Sequence, residues 1–130
     1  MHAVFGLMKR ILIVEDNDLS REALSRRLVR SGYETLAAAD GRQGLAIASA
    51  LAPDLILMDL GLPEIDGWEC VRRLRASAST CRTPIIALTA HATLNDRDAA
   101  LSAGCDEFDT KPIDYPGLLA KMTRLLDSHR

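Results

Sequence analysis

Four short, mostly apolar runs in this sequence end in side chains suited to phosphoryl and metal chemistry. Residues 10–14 (RILIV) lead into Glu15 and Asp16, residues 55–58 (LILM) into Asp59, residues 84–88 (PIIAL) into Thr89, and the weaker run 107–110 into Lys111 and Pro112. If the runs are strands of one parallel sheet, their carboxyl ends share an edge, where open α/β sheets bind ligands. Three carboxylates gathered there repel one another unless a cation lies among them. Oxygen donors of this kind suit a hard divalent ion, and Mg2+ fits because it takes one or two carboxylates and keeps waters for its other positions. A lysine and a threonine at the same edge supply the charge and the hydrogen bond that a phosphoryl group needs. Asp59 can then be a nucleophile that forms an acyl phosphate.

Taken singly, each residue has a plainer reading. Glu15, Asp16, Asn17 and Asp18 suit the cap and acidic first turn of a following helix. Asp59 and Thr89 suit loop or capping positions, Lys111 a solvated surface, and His91 an exposed loop. The plain readings leave unexplained why four runs end in complementary groups.

The elements that must position these residues follow from periodicity. Apolar runs at 10–14, 33–38, 55–58, 84–88 and 107–110 alternate with longer amphipathic stretches, the pattern of a parallel sheet covered by helices on both faces. Between the runs, Leu19, Ala23, Leu24 and Leu28 recur at helical spacing. So do Leu45 and Ala48, then Trp68, Val71 and Leu74, then Leu94 and Leu101, and finally Leu118, Leu119, Met122, Leu125 and Leu126. Gly32, Gly41 and Gly104, with Pro53, Pro63 and Pro112, punctuate the boundaries. The pattern predicts a (βα)5 domain.

Composition narrows the classes further. With 130 residues, 48% apolar and 26% charged, the chain has room for one ordinary globular core and no second module. A net charge of -2 gives no electrostatic reason to expect nucleic acid or an anionic membrane as partner. Cys70, Cys81 and Cys105 are odd in number and lack CxxC spacing, which points to a reducing, cytoplasmic setting without a disulfide framework or zinc site. No run approaches the roughly 20 apolar residues of a membrane span, and residues 3–8 are too short for a signal-peptide core. Residues 1–7 read as a flexible extension before a domain at 8–130, with no output domain attached.

Together, Glu15-Asp16-Asn17, LILMDLGLP at 55–63, Ile65-Asp66-Gly67, ALTA at 87–90 and GCDEFDTKP at 104–112 resemble the receiver domain of bacterial two-component response regulators, specifically the single-domain, chemotaxis-receiver-like kind. The resemblance implies a flavodoxin-like doubly wound sheet in strand order 2-1-3-4-5 and phosphotransfer from a histidine kinase or histidine phosphotransfer protein. It makes Asp59 the phosphoacceptor. Asp16, Asp59 and the Gly61 carbonyl would hold Mg2+, with Glu15 acting through water. Thr89, Lys111 and the backbone N–H groups of Leu60 and Ala90 would hold the phosphoryl oxygens.

The resemblance also makes Thr89 and Phe108 the switch pair and a cis Lys111-Pro112 bond the expectation. Signalling would pass to a target protein on the face formed by helix four, strand five and helix five, through Tyr115 and the Asp106-Glu107 edge. Such a domain catalyses its own phosphorylation and dephosphorylation without being an enzyme in the usual sense, and it either signals or drains phosphate from a relay. Gly61 and His91 occupy positions that tune the phosphate's lifetime. Glycine at 61 and phenylalanine at 108 depart from the family's commonest residues there. An aspartyl phosphatase of the haloacid dehalogenase type would need an acid where Gly61 stands, and neither GxGxxG after the first run nor GxxxxGK[ST] is present. The alternative is a receiver-fold interaction module that works without phosphorylation.

Overall fold

The computed structural model describes residues 8–90 and 94–128. Five strands alternate with five helices: β1 Arg10–Val14, α1 Asp18–Arg30, β2 Glu34–Ala38, α2 Gly41–Leu51, β3 Leu55–Asp59, α3 Gly67–Ala76, β4 Ile85–Thr89, α4 Leu94–Ala103, β5 Glu107–Thr110 and α5 Tyr115–Ser128. The strands form one sheet in the order β2-β1-β3-β4-β5, parallel throughout. This is the doubly wound, flavodoxin-like arrangement.

Strand residues alternate between faces, and each face has its own core. Ile11, Ile13, Leu55, Leu57, Ile86 and Leu88 pack with Leu24 and Leu28 of α1 and Leu118 and Met122 of α5. Leu12, Val14, Ile56, Met58, Ile85 and Ala87 pack with Ala48 of α2, Val71 and Leu74 of α3 and Ala100 of α4. Because β1, β3 and β4 are covered on both sides, they read as unbroken apolar runs rather than alternating ones.

The strands that carry site residues run one position further than their apolar letters. Asp59 lies opposite Leu88 and Thr89 opposite Thr110, so both polar residues are held by the sheet and not by a loop. At the other ends, Tyr33 lies outside β2 because its N–H donates to the Leu28 carbonyl at 3.1 Å. Pro84 precedes β4, yet its carbonyl accepts from the Ile56 N–H at 2.9 Å.

Helix starts are set by local side-chain oxygens. Asn17, Asp40 and Asp66 cap α1, α2 and α3, accepting from the N–H groups of Ser20, Gln43 and Glu69. Two expectations about helix faces fail. Leu19 is 80% exposed, because the face of α1 that meets the sheet is defined by Leu24 and Leu28. In α4 the contact is made by Ala100, fully buried, while Leu101 is 41% exposed. The helix approaches through a small residue and its leucine points outward. No helix among the described residues is long and apolar enough to cross a membrane. The expectations for residues 1–7 and for His91 lie outside the described residues.

Candidate functional site: an acidic cleft at the carboxyl edge of the sheet

Strand order brings the candidate residues together. β1 and β3 are neighbours, as are β3 and β4, and then β4 and β5, so Glu15, Asp16, Asp59, Thr89 and Lys111 leave the sheet at one edge. The Lys111 N–H donates to the Thr89 carbonyl at 2.7 Å, continuing the ladder past the last strand residue and aiming the lysine across β4 toward β1. The Lys111-Pro112 peptide is cis.

Lysine Nζ lies 2.6 Å from Glu15 Oε1 and 3.4 Å from Asp59 Oδ2. Both carboxylates are buried, Glu15 4% exposed and Asp59 6%, and each has a backbone donor as well. Glu15 Oε2 accepts from the Asn17 N–H at 3.0 Å and Asp59 Oδ1 from the Gly61 N–H at 3.0 Å. Burial alone would lower the Lys111 pKa, but the hydrogen bond to Glu15 and the Asp59 charge outweigh it, and the pKa is raised. One carboxylate oxygen each from Glu15, Asp16 and Asp59 lie within 4.8 Å of one another. Asp16 is exposed, which leaves one side of the group open to water. Hard oxygen donors at this spacing, with an open side, fit a Mg2+ ion.

The plain reading of the acidic stretch holds for only part of it. Asn17 caps α1 and Asp18 pairs with Arg21 at 2.6 Å, whereas Glu15 turns inward to the lysine. One expected donor is committed elsewhere. The Leu60 N–H donates to the Leu88 carbonyl at 2.9 Å, because β3–β4 pairing continues past Asp59, so it does not face the cleft. The Gly61 N–H, already on the Asp59 carboxylate, is the donor on that side. Ala90 lines the cleft.

The cleft has a volume of about 280 Å³, and its walls include Asp59, Gly61, Thr89, Lys111, Trp68 and Asp96. Trp68 and Asp96 were not legible as site residues. Trp68 reads as a core position of its helix, and nothing local marks Asp96. A signal for Trp68 lay in the preceding glycine. A Cβ on Gly67 would collide with the Asp59 carbonyl oxygen and come within 2.5 Å of the Leu60 Cα, so α3 begins hard against the strand that carries Asp59.

Phe108 is half-buried against the core beneath α2, α3 and α4. Tyr115 is turned toward α1, its hydroxyl 3.1 Å from Ser31 Oγ and its ring 4.2 Å from the Arg27 guanidinium. It therefore does not belong to the face expected to receive a target. Asp106 is held by Arg75 at 2.9 Å and by the Ile85 N–H at 2.8 Å, and Glu107 pairs with Arg124.

The fold and this cleft define a flavodoxin-like α/β domain with an acidic, lysine-bridged pocket at the carboxyl edge of its sheet. The family model of the response regulator receiver domain matches residues 11–123, and the chain belongs to that family: it is a receiver domain of two-component signalling. It is 39% identical over 119 residues to the DNA-binding dual master transcriptional regulator RpaA of Synechocystis sp., covering 92% of this chain and 49% of that protein. The chain thus spans about half the length of that relative. It is 37% identical over 110 residues to the polar-differentiation response regulator DivK of Brucella ovis, covering 85% of this chain and 89% of that protein. Among solved structures it is similar to the receiver domain of sensor histidine kinase PA1611 from Pseudomonas aeruginosa PAO1, at TM-score 0.86 and 37% identity, covering 92% of this chain and 98% of that one. That structure is described with a magnesium ion coordinated in the active-site cleft.

Proposed function

We propose that Asp59 accepts a phosphoryl group from a phosphohistidine of a kinase or phosphotransfer protein, in a Mg2+-dependent reaction, and that the acyl phosphate switches binding to a partner protein or is passed on along a relay. The observation that carries this reading is the Lys111 ammonium shared by two buried carboxylates, Glu15 and Asp59. That arrangement sets an ammonium beside the candidate nucleophile and keeps a cation ready for the incoming phosphoryl oxygens. Asp16, Asp59, the Gly61 carbonyl and, through water, Glu15 are the groups proposed to hold Mg2+, which when bound offsets carboxylate repulsion and polarises phosphoryl oxygens.

In the proposed transfer, an Asp59 carboxylate oxygen attacks phosphorus in line while the bond to the donor's leaving group breaks, its electron pair departing with that group. Lys111 and the Thr89 hydroxyl hold two of the phosphoryl oxygens, aided by the N–H groups of Gly61 and Ala90. Incubation with acetyl phosphate is expected to add one phosphoryl group by intact-mass measurement, labile to hydroxylamine. Asp59→Asn and EDTA should each abolish it, and a labile adduct that persists on the Asn variant overturns the assignment. A partner that binds parent and Asp59→Asn equally under phosphorylating conditions would favour a phosphorylation-independent interaction module instead.

The switch is proposed to run from Asp59 through Thr89 to Phe108, because a dianion can bias only groups that contact it differently in two states. Beryllofluoride should shift NMR resonances around Phe108 in the parent protein and far less in Thr89→Ala. Equal shifts would remove the threonine from the coupling.

Gly61 bears on the phosphate's lifetime. A Cβ there would meet only Asp59 Oδ1, at 3.7 Å, which is ordinary contact, so a side chain can begin there beside the phosphoacceptor. Gly61→Arg is expected to obstruct the hydrolytic water and slow dephosphorylation several-fold, roughly 1 kcal/mol in the barrier. Decay rates of the phosphorylated proteins check this, and an unchanged rate removes Gly61 from control of the lifetime.

A further inference from the structure

A second cavity lies on the other side of the lysine. It has a volume of about 360 Å³ and is walled by α1 and by the loop from β5 to α5. Lys111 lines both this cavity and the Asp59 cleft, so the ion pair of Lys111 with Glu15 forms a partition between them. Leu24, Leu88 and Ile113 give the cavity an apolar floor, and Ser20 and Arg27 bring polar groups to its wall. A concave, mostly apolar space of this size with a few polar groups is the usual form of a small-molecule site. The charges around it are unequally used. Glu15 and Lys111 neutralise each other, whereas Arg27 has no carboxylate partner among the described residues. Its guanidinium carbon lies 4.2 Å from the centre of the Tyr115 ring, and the Tyr115 hydroxyl is 3.1 Å from Ser31 Oγ. Stacking takes up a face of the guanidinium and leaves its N–H edge to meet an acceptor.

We infer that this cavity binds a small organic carboxylate with an apolar body, its carboxylate taken by Arg27 and its body set on Leu24, Leu88 and Ile113. The planar fork of a guanidinium matches a carboxylate with two parallel hydrogen bonds. Tyr115 holds that fork in place beforehand, so less side-chain freedom is lost when the ligand arrives. The Ser20 hydroxyl is a further donor in the same wall. A singly charged group suits the site better than a phosphate dianion, because Glu15 shares the wall and repels the second charge. The site stands independently of Asp59 as phosphoacceptor. Its bearing on that reading is positional: an occupant meets Lys111 from the side away from the cleft, so one side chain answers to both cavities.

The test is an NMR titration of the parent protein with hydrocinnamate and with hydrocinnamamide, its uncharged counterpart, in the absence of any phosphoryl donor. The acid is expected to bind in the millimolar range, as suits so small a ligand, and to shift the amide resonances of Ala23, Leu24, Arg27 and Ile113. The uncharged analogue should bind about five-fold more weakly, the difference that one exposed arginine makes, and high salt should narrow the gap. Arg27 is exposed, so Arg27→Gln should keep the parent's urea midpoint while the acid and its analogue come to bind equally. Equal affinities in the parent, a preference for the acid that survives Arg27→Gln, or no shift at these four amides up to the solubility of the probe overturns the inference. The same shifts on raising protein concentration alone would also overturn it, since a second copy of the chain would then cover the cavity.

Discussion

Lys111→Met is expected to slow phosphorylation of Asp59 by about 10²-fold or more, the usual loss when one preorganised charge-stabilising donor is removed from an anionic transition state. The ammonium stands 2.6 Å from Glu15 and 3.4 Å from Asp59, within reach of any phosphoryl group bonded to Asp59, and methionine keeps its length without its charge. The same substitution leaves two buried carboxylates with no cation between them. Removing one partner of a buried pair costs more than the pair contributes, because the remaining charge stays desolvated. Metal-free Lys111→Met should therefore unfold at lower urea than the parent, and Mg2+ should restore more stability to the variant than to the parent by mass action. Mg2+ affinity, read from Trp68 fluorescence, should be unchanged or higher, since a competing cation has gone. Lys111→Arg retains charge but replaces a compact ammonium by a planar fork, so it should recover stability better than rate. A phosphorylation rate within about three-fold of the parent's would take Lys111 out of the proposed transfer.

Much of this architecture was legible because burial on both sides turns β1, β3 and β4 into plain apolar words, and the cap offered around Asn17 announces α1. Strand order was not in the spacing, since any order of five parallel strands gives the same one-dimensional alternation. It came with the family resemblance. The faces of α1 and α4 were misread for one reason: periodicity marks which residues are apolar, while packing distance decides which are covered. Helix α4 comes in on Ala100, so Leu101 is left outside. Glu15 and Asp18 are three residues apart and both acidic, yet one is 4% exposed and ion-paired to a lysine 96 positions away, and the other only closes a helical turn. No local signal separates them. The Leu60 amide shows the converse, for the sheet claims it one residue beyond Asp59, the last residue of β3. Trp68 and Asp96 escaped notice because cavity walls are assembled from elements that meet only after the sheet is wound.

The second large effect is on stability at alkaline pH. Cys105, between α4 and β5, and Cys70, in the first turn of α3, are buried on the α3 side of the sheet, and burial pushes their thiols up to about 12 and about 11 from 9.0. In the unfolded chain both titrate at their ordinary value, so above about pH 9 the unfolded state holds fewer protons than the native one. Stability must then fall as pH rises until the native thiols themselves ionise. Each fully protected thiol contributes a slope of up to about 1.4 kcal/mol per pH unit. For Cys105, 6% exposed, this amounts to as much as about 2 kcal/mol between pH 9 and 10.5. Lys111 acts with the same sign. Its native pKa is raised, so the stability it contributes is present below its ordinary value and is lost as pH climbs through the native one. An ordinary lysine value near about 10.4 puts that loss at the top of, and above, the pH 8 to 10.5 range in which the thiols are tested. Urea unfolding at several pH values from 8 to 10.5 should show the parent losing stability steadily, while Cys105→Ala starts lower at pH 8 and declines with a shallower slope. Neither sulfur lines the Asp59 cleft, so saturating Mg2+ should raise both curves without changing the difference between their slopes. Parallel curves for parent and variant would mean that the Cys105 thiol is not held protonated by the fold.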